Sequence, residues 1–484
     1  MSLGQMLEET CRLFPERAAL IQEGRTVTYA ELDKAVNSLG NTLKKAGLQK
    51  GDTIGLMLPN CPEFVMAYFA LQKIGAVAVT LNVASTSYEL QHLLGDSEAR
   101  GLITTTGLAK KFEEIKAELP RCGFLLLHEE QQGASPFREA AEAGPFTLEI
   151  PALEGDDPAV MVYTSGLTGK PLGAVLTQHN LLTQSDLLKV VCGTTEQDRG
   201  LALIPLFHTF GAVVNMLCAI RVGASVVQMD HFSVESIFSA IEQEKITFIA
   251  AVPRLFLGMI LQAEEKKFDL SSLKLCITGG AAMPPEYFPR FEEKFGLKIL
   301  EGYGLTEASP VCTFTRPFLA HKPGSVGTVV PGVEARVVDE EGRDLPTGKQ
   351  GELIIRGANV MKGYYRDEEA TAKVIRDGWL YTGDLARMDE EGYVFLTGLK
   401  KRMIITSGFN VYPREVEMVL NLHPAVKESL ALGKADLMRG EVVKALVVKN
   451  PAVPVAEKEL VRHCRKYLSS YKVPRHIEFV LSLT

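Results

Sequence analysis

Between Leu201 and Tyr303 the chain alternates between two periodicities, and this alternation constrains its fold more than any other feature. Leu201-Ala-Leu-Ile204 reads as a strand and 211–220 as an apolar helix. Ala224–Met229 reads as a strand and 234–244 as a helix. Phe248–Val252 is strand-like, and Pro253 opens the next helix as a first-turn proline. Leu273–Thr278, a helix over 284–295 and a strand over Lys298–Glu301 continue the series. Earlier, Phe64, Ala67, Tyr68, Leu71 and Ile74 recur at helical spacing before the strand-like Ala76–Leu81. Such alternation predicts an α/β fold of parallel-type sheets with helices on their faces. Ligands of such sheets bind at the carboxyl ends of strands. The segments 163–173, 205–211, 279–284 and 302–307 follow strands, so a site is expected there.

At 484 residues the chain is too long for one core. After about residue 320 the texture changes: Gly324, Gly327, Gly332, Gly342, Gly348, Gly351, Gly357 and Gly363 punctuate short β-branched runs. This reads as a β-rich subdomain over 320–397, closing a large domain over 1–397. A second shift at Gly398–Met403 opens a small α+β domain over 398–484. There a helix starts at Pro413, strands lie near 426–432 and 442–448, and Leu460, Val461, Cys464 and Leu468 mark the buried face of a last helix.

The formal net charge of −7 argues against a nucleic-acid footprint and a polybasic membrane anchor. No apolar run reaches the ~20 residues of a spanning helix. The segment 64–81 comes nearest, but Gln72 and Lys73 interrupt it. The acidic N-terminus lacks the plan of a signal peptide. The eight cysteines show no metal spacing and read as buried free thiols. A cytoplasmic location is expected.

Tyr163-Thr-Ser-Gly-Leu-Thr-Gly-Lys-Pro-Leu-Gly173 follows the apolar run Ala159–Val162. Glycines let backbone N–H groups approach an anion. The hydroxyls of Thr164, Ser165 and Thr168 add donors and Lys170 adds charge, so the stretch suits a polyphosphate. It is not a Walker A loop: only Leu167 and Thr168 separate Gly166 from Gly169, and Pro171 follows the lysine. No convincing dinucleotide fingerprint follows a strand. Four further clusters join it. Pro205-Leu-Phe-His208-Thr-Phe-Gly211 places a histidine among aromatics. Gly279-Gly-Ala-Ala-Met-Pro284 is a small-residue turn that a flat ring could approach. Glu301-Gly-Tyr-Gly-Leu-Thr-Glu307 offers a carboxylate suited to Mg²⁺, and Trp379-Leu-Tyr-Thr-Gly-Asp384 one suited to the hydroxyls of a ribose. Each alone could be an ordinary turn or, for His208, a satisfied core histidine.

Taken together and in order, these clusters resemble the AMP-forming acyl-CoA synthetase and adenylate-forming enzyme superfamily, from about residue 10 to the end. The carrying motifs are Tyr163-Thr-Ser-Gly-x-Thr-Gly-Lys-Pro171, Tyr303-Gly-Leu-Thr-Glu307, Gly351-Glu-Leu, Gly363-Tyr, Tyr381-Thr-Gly-Asp384 and Ser407-Gly-Phe-Asn-Val-Tyr-Pro413-x-Glu415. The last run looks most like fatty acyl-CoA synthetases. The resemblance implies two stacked sheets and a β-rich subdomain in the large domain, with the small domain rotating on a hinge near Arg402. It implies activation of a carboxylic acid, here a medium- or long-chain fatty acid, by ATP to an acyl-adenylate. Coenzyme A then gives the thioester and AMP. By motif position Thr164, Ser165, Gly166, Thr168, Gly169 and Lys170 would hold phosphates, with Glu307 and Thr164 on Mg²⁺. Gly280, Ala281, Ala282, Glu301, Gly302, Tyr303 and Gly304 would flank the adenine, Thr306 the α-phosphate and Asp384 the ribose. His208 would line the acid's carboxylate. Phe210, Gly211, Val213 and Gly279 would line its tail, in a tunnel also using Val214, Met216 and Leu217. Ser407, Gly408 and Phe409 would meet coenzyme A. Thr164, Lys170, His208 and Glu307 are the expected catalytic set.

The sequence departs from the family pattern at Leu167, Leu172, Leu399 and Arg402. The first three remove polar groups from the expected ATP site, while Lys170, Glu307 and Asp384 remain, so an active enzyme is expected. His-Thr-Phe-Gly over 208–211 lacks the Asp of amino-acid-activating members and argues against an amino-acid substrate. Two alternatives stay open: an adenylating enzyme that loads a carrier protein, and a catalytically weakened nucleotide- or acyl-binding homologue. A homodimer is also open. The family carries a Gly-Lys beyond the last strand of its small domain. Here that strand reads as His476–Leu481 and the sequence ends at Thr484. The resemblance therefore leads to the expectation that this polypeptide is deficient in adenylation and retains thioester formation.

Overall fold

The structure, a computed structural model, describes residues 1–129, 135–165, 170–262, 268–400, 403–436 and 438–483, without the side chains of Ser165 and Leu399. Among these residues the strands form four sheets. In the first, Ile299–Gly304, Leu275–Thr278, Phe248–Ala251, Arg199–Ala202, Ser225–Gln228 and Ala18–Gln22 run parallel in that order. Antiparallel strands finish both edges: Val311–Phe314 and Thr328–Val329 on one, Arg25–Thr28 on the other. The second sheet orders Pro158–Ser165, Val77–Thr80, Thr53–Met57, Gly101–Thr105 and Phe124–His128 in parallel. Pro171–Thr177 then runs antiparallel beside Pro158–Ser165, followed by the short Gly363–Tyr364. The expected α/β architecture is present, with antiparallel edges that the strand–helix alternation did not announce.

The two sheets share one core. Ala78, Val160 and Ala174 of the second sheet belong to the same apolar cluster as Ala202, Val226, Phe248 and Ile277 of the first. The helix Pro62–Ile74 lies in this core with all its residues buried, as expected of a helix that is apolar all round. Gln72 and Lys73 are accommodated by partners. Gln72 Nε2 donates to the Ala159 carbonyl at 2.9 Å. Lys73 Nζ donates to Asp33 Oδ1 and Asn37 Oδ1, both at 2.7 Å, so its charge is buried but paired. No described helix is long and apolar enough to cross a membrane. The cysteines are unpaired, and all but Cys192 are buried.

The glycine-punctuated region forms the third sheet, from Val333–Val338, Gly351–Gly357, Trp379–Met388, Ile375–Arg376 and Val394–Leu399. The fourth belongs to the small domain. The hairpin Ile404–Thr406/Phe409–Val411 leads to Gly440–Lys449, which pairs antiparallel with Val426–Asp436 and parallel with His476–Val480. The helices Pro413–Asn421 and Glu457–Tyr467 close its core through Val416, Val419, Leu420, Leu460 and Cys464.

Candidate active site

Two cavities meet where the carboxyl ends of both large sheets face the small domain. The inner one, of about 480 Å³, is mostly apolar; the outer one, of about 780 Å³, opens between the domains. Thr164, His208, Thr306, Asn410 and Tyr412 line both. Most of the motif residues gather here, though they lie up to about 250 positions apart.

The stretch 163–173, expected as a loop after a strand, is largely a hairpin. Thr164 and Ser165 end the strand Pro158–Ser165 and pair with Leu172 and Pro171. Gly166, Thr168 and Gly169, with Leu167, lie outside the described residues, as does Arg402. Thr164 Oγ1 donates to Glu307 Oε1 at 3.1 Å, and Tyr364 Oη donates to the same oxygen at 2.9 Å. Glu307 sits in the short turn Thr306–Ala308, where the Met361 N–H holds its carbonyl at 2.9 Å. Burial, with Glu307 beside it, pushes the Tyr364 phenol well up, so it stays protonated and donates. A carboxylate and a hydroxyl so placed form an all-oxygen donor set. This fits a hard cation such as Mg²⁺, which takes one or two carboxylates plus phosphate oxygens. Lys170 is exposed and lines the outer cavity, as Thr164 does.

Gly280, Ala281, Ala282, Gly302, Gly304, Thr382 and Gly383 line the inner cavity. Tyr303 Oη donates to Asp384 Oδ2 at 2.5 Å, tying the strand Ile299–Gly304 to the third sheet. Asp384 lies inside the strand Trp379–Met388, where sequence suggested a turn. Glu301 is 4% exposed and accepts the Met283 N–H at 3.2 Å. Burial pushes its carboxyl up to about 7. Such a group binds its proton more tightly folded than unfolded. It therefore costs stability progressively from its ordinary value near 4.5 up to about 7, and fully above that. Glu301→Gln is thus expected to raise Tm at pH 8 and leave it nearly unchanged at pH 4.5, with a gain of at most about 3 kcal/mol. Thermal melts at the two pH values check this.

His208 Nδ1 accepts the Phe210 N–H at 3.2 Å, and burial pushes the ring down to about 4. At neutral pH it is therefore uncharged, with its proton on Nε2. Of the residues expected to meet the acid, His208 at its carboxylate and Phe210 and Gly279 along its tail line the inner cavity. A Cβ on Gly279 would lie 3.2 Å from the Gly302 carbonyl and 3.3 Å from the Phe210 ring, so a side chain there would crowd the strand end. Gly211 and Val213 do not line the cavity, nor do Met216 and Leu217. Gly211 packs on the Pro205 carbonyl, and the other three are fully buried in the core. The segment Gly211–Leu217 is wound as a π-helix, and of its apolar side chains only Val214 reaches the cavity. Leu187, Leu188, Val311 and Phe314, which sequence reasoning missed, are among the apolar side chains that line it.

The small domain contributes more than expected. Asn410 and Tyr412 line both cavities, Phe409 lines the outer and Gly408 the inner. Phe409 stacks on Phe207 of the large domain, ring centroids 6.4 Å apart and 7° from parallel. Ser407 lines neither cavity, and its hydroxyl is buried with no hydrogen-bond partner among the described residues. Tyr364 could have been suspected from the Gly363-Tyr motif, and Asn410 and Tyr412 from the run 407–413.

Residues 7–365 match the model of the AMP-binding enzyme family, and residues 415–484 that of the AMP-binding enzyme C-terminal domain. The chain is 34% identical to a long-chain-fatty-acid–CoA ligase of Bacillus subtilis, covering 99% of this chain and 91% of the relative. It is 36% identical to a feruloyl-CoA synthase of an Amycolatopsis species, covering 99% and 94%. Among solved structures it resembles a double mutant of the Bacillus subtilis o-succinylbenzoate CoA synthetase bound to a product analogue. There the TM-score is 0.89 at 32% identity, with 99% of this chain and 95% of that one covered. The cavity, the carboxylate–hydroxyl pair and both family matches converge: the chain belongs to the AMP-binding enzyme family and is an AMP-forming acid–thiol ligase working with ATP, Mg²⁺ and coenzyme A.

Proposed function

We propose that this enzyme activates a medium- or long-chain fatty acid. One observation carries the reading: the inner cavity, which holds the Thr164–Glu307 pair and His208, is mostly apolar and takes in Phe210, Val214, Leu187, Leu188 and Phe314, with Glu301, Glu307, Lys373 and Asp384 its ionisable lining residues. An acid lying there has its carboxylate at the polar end and its tail against apolar surface. Each buried CH₂ is worth about 0.8 kcal/mol.

Thr164 and Lys170 face the β- and γ-phosphates. The small residues 279–282 and the 301–304 strand end flank the adenine, and Asp384 faces the ribose. Glu307, with Thr164, would hold Mg²⁺, which would supply charge neutralisation on the phosphates. The neutral His208 donates from Nε2 to the acid's carboxylate and so fixes the attacking oxygen without competing for its charge. That oxygen bonds to the α-phosphorus and pyrophosphate leaves, a displacement governed by positioning and charge. The thiol of coenzyme A then attacks the acyl carbonyl and AMP leaves. The hairpin carrying Gly408 and Phe409 stands at the mouth through which the thiol arrives.

The modest cavity, shared by nucleotide and acid, favours a second reading: a compact aromatic acid, as the name of the feruloyl-CoA synthase relative indicates for that enzyme. Decanoate and ferulate, each assayed with ATP in the presence and absence of coenzyme A, decide. The fatty-acid reading expects decanoyl-CoA and AMP, formed only with coenzyme A, at the higher kcat/KM. Preference for ferulate overturns it in favour of the second reading. Pyrophosphate release with no thioester would point to a carrier-protein acceptor.

Leu172 pairs across the hairpin with Thr164 and lines the inner cavity. A lysine there would place an ammonium beside the phosphates, and a charge-assisted contact contributes ~1.5–3 kcal/mol. Leu172→Lys is expected to lower KM for ATP by about tenfold or more. Initial-rate kinetics check this; an unchanged or raised KM would show that the hairpin has packed around leucine.

A further inference from the structure

Along the outer cavity, where the domains touch, three ionisable groups are buried together. Lys472 of the small domain is 7% exposed. Its Nζ donates to Glu89 Oε1 of the large domain at 2.7 Å and to Glu415 Oε1 of its own domain at 2.6 Å. Ser469 Oγ, also from the small domain, donates to Glu89 Oε2 at 2.6 Å. The flank is closed by Thr86 Oγ1 donating to the Tyr467 carbonyl at 3.1 Å and by an edge-to-face contact of Tyr88 with Tyr467 at 5.1 Å. Glu89 is held in place by its own helix, Ser87–Asp96: the Thr86 N–H donates to Glu89 Oε2 at 2.9 Å and the Glu89 N–H to Thr86 Oγ1 at 3.2 Å.

The arrangement has a built-in asymmetry. The Lys472–Glu415 pair lies within the small domain and survives if that domain moves. The Lys472–Glu89 and Ser469–Glu89 contacts cross between domains and exist only while it is docked as here. Glu415 keeps one carboxylate oxygen buried with no hydrogen-bond partner among the described residues. A single ammonium thus serves two carboxylates, and removing Glu89 leaves the small domain's own pair intact. A buried ion pair is costly to break from one side because the remaining charge stays desolvated. The same docking brings Phe409 onto Phe207 and Gly408 against Val252 at the inner cavity.

We propose that Glu89, Lys472 and Ser469 form a polar latch that holds the small domain in this docked arrangement, and that the latch positions the 404–411 hairpin for thioester formation and not for adenylation. This rests on the two-step reading above. Glu89, Ser469 and Lys472 line the outer cavity but hydrogen-bond to none of the groups assigned to the reacting atoms, so Glu89 and Lys472 are positioning residues that act through the hairpin.

Glu89→Gln and Lys472→Met are measured in the full chain in two half-reactions. One is pyrophosphate release from ATP and decanoate without coenzyme A; the other is thioester formation from supplied decanoyl-adenylate and coenzyme A. Both variants are expected to slow the second by at least about tenfold and leave the first within twofold. Lys472→Arg, which keeps the charge, is expected to recover most of the loss. Hydrogen exchange gives a readout independent of activity: amides of 87–96 and 467–473 should exchange faster in Glu89→Gln, while strands Val426–Asp436 and Gly440–Lys449 stay protected. Equal slowing of both half-reactions, or Glu89→Gln behaving as wild type in rates and exchange, overturns the latch. If the wild type makes no thioester from decanoyl-adenylate, the fatty-acyl reading fails, and hydrogen exchange alone decides the latch.

Discussion

Replacing Glu307 by alanine is expected to lower the rate of adenylate formation by at least about 100-fold with little change in fold. Glu307 is the acceptor on which Thr164 and Tyr364 converge, at 3.1 and 2.9 Å. Its removal takes away the carboxylate assigned to Mg²⁺ and strands two hydroxyls. The two losses can be separated. Glu307→Gln keeps an oxygen for both hydroxyls and loses only the charge. If the charge governs the rate, both variants are equally slow in a pyrophosphate-release assay; if the hydrogen bonds govern it, glutamine recovers most of the activity. A wild-type rate in Glu307→Ala would remove this residue from the site altogether.

Gly408 carries the second large effect, in the other half-reaction. Its φ of +86° is one that side-chain-bearing residues rarely adopt, and a Cβ there would lie 2.6 Å from Val252 Cγ1 across the domain boundary. The clash exists only while the small domain is docked. Gly408→Val is therefore expected to reduce thioester formation from supplied acyl-adenylate by at least about 100-fold and adenylation by only a few fold. Shrinking the opposing side chain should help: Val252→Ala combined with Gly408→Ala is expected to be faster in thioester formation than Gly408→Ala alone. Stopped-flow measurement of the two half-reactions checks both statements, and equal losses in the two would contradict the assignment.

The sequence carried the site better than it carried the fold around it. The motif residues Thr164, Tyr303, Glu307 and Asp384 are chemically distinctive and ordered along the chain, and the structure gathers them at one cavity. The helix phase over 211–220 was illegible because an almost wholly apolar run has no face to read, which is why Val213, Met216 and Leu217 were expected in the cavity and lie in the core. Pro171–Thr177 hid as a strand because glycine and proline at its start signal a loop. The partnership of Ala18–Gln22 with Ser225–Gln228 spans some two hundred residues and leaves no local trace. The latch was equally hidden: Lys472 and Glu89 are unremarkable residues in sequence, made neighbours only by the way the domains pack.

The proposed acyl cavity begins at His208 and includes Val214. It is tested most directly by kcat/KM for unbranched acids of increasing length, from acetate to dodecanoate, at saturating ATP and coenzyme A. At about 0.8 kcal/mol per buried CH₂, each added methylene should raise kcat/KM by about fourfold until the cavity is filled. Decanoate should then exceed acetate by orders of magnitude. A flat profile, with acetate and decanoate equal, would contradict the claim.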